Sequence, residues 1–222
     1  MFSAIAPRYD FLNWLLSAGR DRVWRREAVR ATALPVQGRL LDVCTGTGDV
    51  ALEAARQFPG AQVFGVDFSR PMIALGRTKV ERAHLEDRIR LQVAPAEALP
   101  FPDESFDAVT VAFGLRNIPD RERGLGEMAR VLKAGGRAVV LEFTTPPGPV
   151  FRRVYLWYFH RILPRIGGLI SGHPSAYSYL PASVTDFPSP ADLSSLMRKT
   201  GFSEVSYQLL TLGIAAIHVG VK

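Results

Sequence analysis

Residues 39–51 read RLLDVCTGTGDVA and hold the densest set of groups able to bind a ligand. Leu40, Leu41, Val43 and Cys44 read as a buried strand, and the helix-like VALEAARQF follows from Val50. Between them, Thr45, Gly46, Thr47 and Gly48 make a turn that leaves backbone N–H groups free at a helix start, where a ligand can approach closely. A second apolar stretch, 62–66, ends in Asp67, 21 residues after Gly46. A carboxylate at that spacing can accept two hydrogen bonds from a ribose diol. The glycine spacing also admits a dinucleotide, because Ala51 fills the third small position. Asp42 and Asp49 argue against one: two carboxylates beside the turn repel a diphosphate and suit an amine and a sulfonium. S-adenosylmethionine fits that charge pattern better than NAD.

The spacing predicts helices over 72–83 and 121–133, and strands over 88–93, 106–113 and 137–143. Ser69 with Pro71 reads as a helix start and Gly135-Gly136 as a stop. Strands alternating with helices imply an α/β fold, a mostly parallel seven-stranded Rossmann-like sheet with helices on both faces. Residues 202–210 and 214–221 read as an antiparallel pair at its edge. A single domain results: a helical cap or lid (1–34), a cofactor-binding core (35–148), a helix and loop for the acceptor (149–188), and a final helix and strand pair (189–222). Ser189 or Ser194 can cap that helix.

Ligands of such sheets lie beyond the carboxyl ends of the strands. The loops 45–49, 67–72, 94–99, 113–118 and 142–147 should therefore meet at one site. The cofactor's amino-acid end falls on the glycine turn, its ribose on Asp67, and its base near Phe68, Met72, Ala96 and Glu97. Its methyl then points to 114–117, where Arg116 and Asn117 are the nearest polar side chains to an acceptor. By position alone, Arg116 could equally pair with Asp120 at the surface. His173, in a long loop, is a further candidate for proton handling. Residues 2–24, aromatic-rich with Tyr9, Asp10, Asn13 and Ser17, read more readily as a cap than as a lid.

Among the 222 residues, 27 Lys and Arg against 21 Asp and Glu give +6, but the cations are scattered. One cysteine excludes a disulfide framework and a cysteine–histidine metal cluster, and suits a reducing cytosol. No metal is expected. No leader peptide and no run of 18 apolar residues is visible, so the expectation is a cytoplasmic chain. Residues 151–170 contain six consecutive apolar residues, 154–159, flanked by arginines. That segment fits an apolar-tail groove, a peripheral contact with the membrane headgroup layer, or a homodimer face. An RNA methyltransferase agrees with the charge. However, Cys44 reads as strand, and Phe-Gly-Leu-Arg stands where amine-methylating enzymes carry Asn/Asp-Pro-Pro-aromatic. No nucleic-acid partner is expected.

These residues resemble the UbiE/MenG family of C-methyltransferases of menaquinone and ubiquinone synthesis over nearly the whole chain. The similarity is carried by Tyr9-Asp10, Asn13, Ser17 and Trp24, by AEALPFPDESFD from Ala96, and by FGLRN from Phe113. It continues in Arg130-Val131-Leu132-Lys133, Gly135-Gly136, Glu142, Tyr177 and Tyr179-Leu180. The chain departs at Leu12, Asp21, Ala134 and Thr144, where the family usually has Met, His, Pro and Ser. It departs again at Pro95 and Ala112, often Asn and Ser. The resemblance implies the class I S-adenosylmethionine-dependent methyltransferase fold, with cofactor contacts at Thr47, Asp67, Ala96 and the Ala112 position. It makes Arg116 and Asn117 catalytic and turns the amino-terminal segment, with Tyr9 and Asp10, into a lid. It further implies S-adenosyl-L-homocysteine as product. The implied acceptor is a lipophilic, polyprenylated quinol, either demethylmenaquinol or a benzoquinol precursor of ubiquinone. A phenolic oxygen would lose its proton, with the Arg116 guanidinium stabilising the anion and a water, Tyr9, Asp10 or His173 taking the proton.

Overall fold

The computed structural model describes residues 19–157, 161 and 183–222. Helix α1 (Arg20–Ala31) precedes the central strand β1 (Arg39–Val43). Then follow α2 (Asp49–Gln57), β2 (Gln62–Asp67), α3 (Arg70–Arg82), β3 (Ile89–Val93), β4 (Phe106–Ala112) and a 3-10 turn, Leu115–Asn117. After it come α4 (Arg121–Val131), β5 (Leu132–Phe143), α5 (Pro149–Trp157), α6 (Pro190–Lys199), β6 (Val205–Leu210) and β7 (Ala215–Val221). The seven strands form one sheet in the order β3-β2-β1-β4-β5-β7-β6. All neighbours from β3 to β5 are parallel, and β7 runs antiparallel to both β5 and β6.

Strand alternation decides which side chains reach which face. Leu41 and Val43 of β1 join Leu125, Met128, Leu193 and Met197 on the side covered by α4 and α6. Leu40 joins Val29, Ala51, Ile73 and Val80 on the side covered by α1, α2 and α3. Asp42, two residues after Leu40, shares that face, at the carboxyl end of the strand. A strand buried on both faces needs the near-continuous apolar run read in the sequence.

One expectation changes. Residues 132–136 belong to strand β5, and α4 stops at Val131. Leu132 is extended and opposite Phe106, and the register shifts before Arg137 pairs with Ala108. The C-terminus stitches this bulge: Gly135 N–H donates to Lys222 O, and Lys222 N–H to Gly136 O. Helix periodicity cannot register a partner some ninety residues away. The terminal pair sits at the sheet edge and is antiparallel, as expected, with β7 joining β6 to β5. Ser189 is the cap of α6, its Oγ accepting from Asp192 N–H.

His218 on β7 is 1% exposed, with Nε2 3.0 Å from Pro190 O and Nδ1 without a partner among the described residues. Burial holds its pKa below the ordinary 6.5. The unfolded chain therefore binds the proton first, and this residue's contribution is lost as pH falls below 6.5. Asp42 acts in the opposite sense: burial raises its pKa from 3.8 to about 7, so its contribution is full below 3.8 and is lost as pH rises to about 7. Between pH 7.5 and 5.5, His218→Gln is expected to gain melting temperature relative to the unaltered chain, and Asp42→Asn to lose it, each by a few degrees. Parallel melting curves for all three proteins across that range would contradict both assignments.

Candidate active site

The turn after β1 is shaped for close approach. Gly46 has φ +56°, and a Cβ built on it would meet no atom within 4 Å, so only the missing methyl separates the backbone from the open cavity. Gly46 N–H donates to one oxygen of Asp67 at 2.9 Å, and Ser69 N–H to the other at 2.8 Å. Each oxygen keeps a lone pair for a ligand hydroxyl. Burial pulls the Asp67 pKa up, and these two N–H donors partly offset it.

A cavity of about 340 Å³ opens here at the carboxyl ends of β1, β2 and β4. Gly46, Asp67, Phe68 and Met72 line one side; Ala94, Pro95, Ala96 and Glu97 line another; Ala112, Phe113, Gly114 and Asn117 complete it. Phe68, beside Asp67, is 61% exposed and lines the cavity with an aromatic ring, a group of the kind that stacks on a base. Beyond Gly46 lies a side recess of about 30 Å³ walled by Asp42, Thr45, Thr47, Asp49 and Arg25. Gly48, at φ +82°, starts α2 beneath it. The expected cofactor residues thus converge, Gly48 as support and the others on the walls.

The carboxylate pair differs from the sequence reading. Asp49 accepts from Lys79 Nζ at 2.7 Å and lies 3.3 Å from Arg25 Nη1. Burial raises its pKa, but these cations outweigh burial and hold it below the usual range. Asp42 instead accepts only hydroxyl protons, from Thr45 at 2.6 Å and Thr110 at 2.8 Å, and no described cation pairs with it. One carboxylate, not two, is left for an ammonium. Both of Asp49's partners come from other elements, which spacing within 39–51 cannot reveal.

Arg25 also walls this recess, and the sequence reading did not include it. It reaches the recess from α1, bonded to Asp21 at 2.6 Å, with its side chain 12% exposed. Its one sequence signal is that i,i+4 acid–base pair on the helix face that also buries Trp24 and Ala28. A guanidinium and free N–H groups at a helix start suit a carboxylate, Asp42 an ammonium, and Asp67 a diol. Those three groups on an amino-acid nucleoside are the groups of S-adenosylmethionine, and the site fits it.

Asn117 lines the cavity; Arg116 does not. Arg116 is 8% exposed, its Nη1 donating to Glu142 and to Phe113 O, and its guanidinium lies 5.5 Å from the Phe143 ring centre. The Asp120 pairing does not form, because Asp120 caps α4 by accepting from Arg123 N–H. Cys44 stands one residue past β1, at φ +55°, and lines the cavity. Burial, and then the carboxylates of Asp67 and Asp42, push its thiol pKa far up, which keeps it protonated. Tyr9, Asp10, His173 and most of 151–170 lie outside the described residues. No cluster of potential metal ligands occurs among the described residues.

Residues 1–222 match the ubiE/COQ5 methyltransferase family. The chain is 56% identical to the ubiquinone/menaquinone biosynthesis C-methyltransferase UbiE of Geobacter sulfurreducens, over 100% of this chain and 87% of that one. It is likewise 56% identical to the demethylmenaquinone methyltransferase of Thermus thermophilus, over 99% of both chains. Among solved structures, a SAM-dependent methyltransferase from Thermotoga maritima superposes with a TM-score of 0.67 at 23% identity, covering 100% of this chain and 97% of that chain. That likeness concerns the fold, and the fold is that of S-adenosylmethionine-dependent methyltransferases. With the glycine turn, Asp67 and the Asn117 wall gathered around one cavity, the chain belongs to the ubiE/COQ5 methyltransferase family.

Proposed function

We propose that this chain methylates a ring carbon of a reduced, polyprenylated quinone, with demethylmenaquinol as the principal acceptor. The observation that carries this reading is the convergence of the Asp67–Gly46 site and Asn117, from the FGLRN turn, on one cavity. The relatives named for quinone methylation support the choice of acceptor.

S-adenosylmethionine, when bound, supplies an electrophilic methyl group, and S-adenosylhomocysteine is the product. Asp67 holds the ribose diol, Arg25 the carboxylate and Asp42 the ammonium. Phe68, Met72, Ala96 and Glu97 surround the base. Asn117 donates to a phenolic oxygen of the acceptor, whose ring carbon becomes nucleophilic as that oxygen loses its proton. The Arg116 guanidinium favours the oxyanion electrostatically. A water, Tyr9, Asp10 or His173 takes the proton. Alignment of two bound reactants supplies much of the acceleration.

The acceptor's tail must leave the cavity for an apolar phase. On α5, Val150 is 78% and Trp157 is 60% exposed; seven residues apart, they share a face, and Arg152 and Arg153 are exposed between them. That mixture suits the headgroup layer of a membrane. No described helix is long and apolar enough to cross one. A covalent route through Cys44, as a pyrimidine-methylating enzyme would use, is not supported by a thiol held protonated.

The test supplies methyl-labelled S-adenosylmethionine with naphthoquinol and benzoquinol acceptors, each with and without an isoprenoid tail, in vesicles. The expected product is ring-methylated naphthoquinol, formed fastest from the tailed acceptor. Label appearing in neither quinone would overturn the reading.

A further inference from the structure

Behind the acceptor wall lies a buried ion pair whose geometry exceeds what stability requires. Glu142, near the end of β5, is 0% exposed, and Arg116 is 8% exposed. Glu142 takes hold of Arg116 twice: one oxygen accepts from its Nη1, and the other accepts from its backbone N–H at 3.3 Å. The first oxygen also accepts from Phe143 N–H at 3.0 Å, which ties the carboxylate to its own strand. The 3-10 turn Leu115–Asn117 is thereby fastened to β5 from the side away from the cavity, while Asn117 lines the cavity itself.

A buried pair of this kind contributes little net stability against an apolar replacement, because desolvation offsets the attraction. What it does fix is geometry. Arg116 Nη1 is spent on Glu142 and Phe113 O, whereas its buried Nε–H has no partner among the described residues. Phe113 itself sits at φ +56°, and Gly114 packs so closely that a Cβ there would fall 2.4 Å from Cys44 Cβ. The turn is thus held just before its start by packing at Gly114 and at its middle residue, Arg116, by a carboxylate.

We propose that Glu142 is a positioning residue for methyl transfer: it anchors the 115–117 turn so that Asn117 faces the acceptor and Arg116 keeps one N–H uncommitted. The proposal rests on the quinol-methylating reading above. Glu142 does not line the cavity and makes no contact with either reactant; it acts through Arg116.

The test is Glu142→Gln, which keeps the volume, leaves one amide oxygen to accept from one of the two backbone N–H groups, and removes the counter-charge. Four quantities are measured: affinity for S-adenosylmethionine by calorimetry, kcat, the pH profile of kcat, and hydrogen exchange of the 114–118 amides by mass spectrometry. The expected result is cofactor affinity within twofold of the unaltered chain and kcat lower by at least about tenfold. The rising limb of the pH profile should move to lower pH, because an uncompensated guanidinium favours the phenolate more strongly. Exchange at 114–118 should be faster, with the 45–49 turn unchanged. An unchanged kcat overturns the proposal. So does a lower kcat on a profile of unaltered shape, an equal loss in cofactor affinity, or unchanged exchange at 114–118. If the unaltered chain methylates no quinol, the functional reading fails instead, and the exchange measurement alone still decides whether Glu142 anchors the turn. If the amide variant does not fold, Glu142→Asp replaces it, with the same split expected at smaller size because the charge remains on a shorter arm.

Discussion

Replacing Arg116 by alanine is expected to lower turnover by at least about a hundredfold, the scale for losing one preorganised electrostatic group. Affinity for S-adenosylmethionine should stay within about twofold, since Arg116 lies off the cavity wall and Asp67, Gly46 and Arg25 are untouched. The same change strands the Glu142 carboxylate, which is fully buried and loses its cation. Breaking a buried pair from one side costs about 3–5 kcal/mol, so the variant should also melt at a markedly lower temperature. Lost activity and lost stability separate in the double variant Arg116→Met with Glu142→Gln. Replacing both charges should restore much of the melting temperature and none of the turnover. Initial rates at saturating cofactor, with melting curves on the same preparations, supply the comparison. Wild-type turnover in the folded single variant would remove Arg116 from the mechanism.

Asp67→Ala should do the reverse. The carboxylate is 7% exposed and organises the site by accepting from Gly46 and Ser69. Hydrogen bonds to a charged group contribute about 1.5–3 kcal/mol each, so losing the diol acceptor should weaken cofactor binding by at least about tenfold. The freed Gly46 N–H also loosens the turn, which adds to the loss. At saturating cofactor much of the turnover should return, because Asn117 and Arg116 hang from β4 and β5 rather than from β2. Calorimetric affinity equal to that of the unaltered chain would contradict the ribose assignment.

The sheet and the cofactor half of the site were legible because short-range rules govern them. An apolar run, a glycine turn and an acid at the end of the next strand fix the positions of Gly46 and Asp67 within a few residues of chain. The loop reading brought Asn117 to the cavity as well. What was not legible depends on partners far away in sequence. Asp49 reads as a free carboxylate until α3 brings Lys79 and α1 brings Arg25. Arg116 reads as a surface cation or a cavity donor until β5 brings Glu142. Cys44 reads as strand until its own left-handed backbone, just past Val43, brings it to the cavity. The extension of β5 to Leu132 depends on Lys222, the last residue of the chain. Electrostatic neighbours and bulges are set by tertiary packing, to which local periodicity is blind.

A structure with S-adenosylhomocysteine and a quinol analogue bound tests the central claim most directly. The diol should lie within hydrogen-bond distance of Asp67 and the carboxylate should face Arg25. The sulfur should point past Gly46 to an acceptor ring whose oxygen meets Asn117. A nucleoside bound away from Asp67, or a sulfur directed away from the 115–117 turn, would contradict the account.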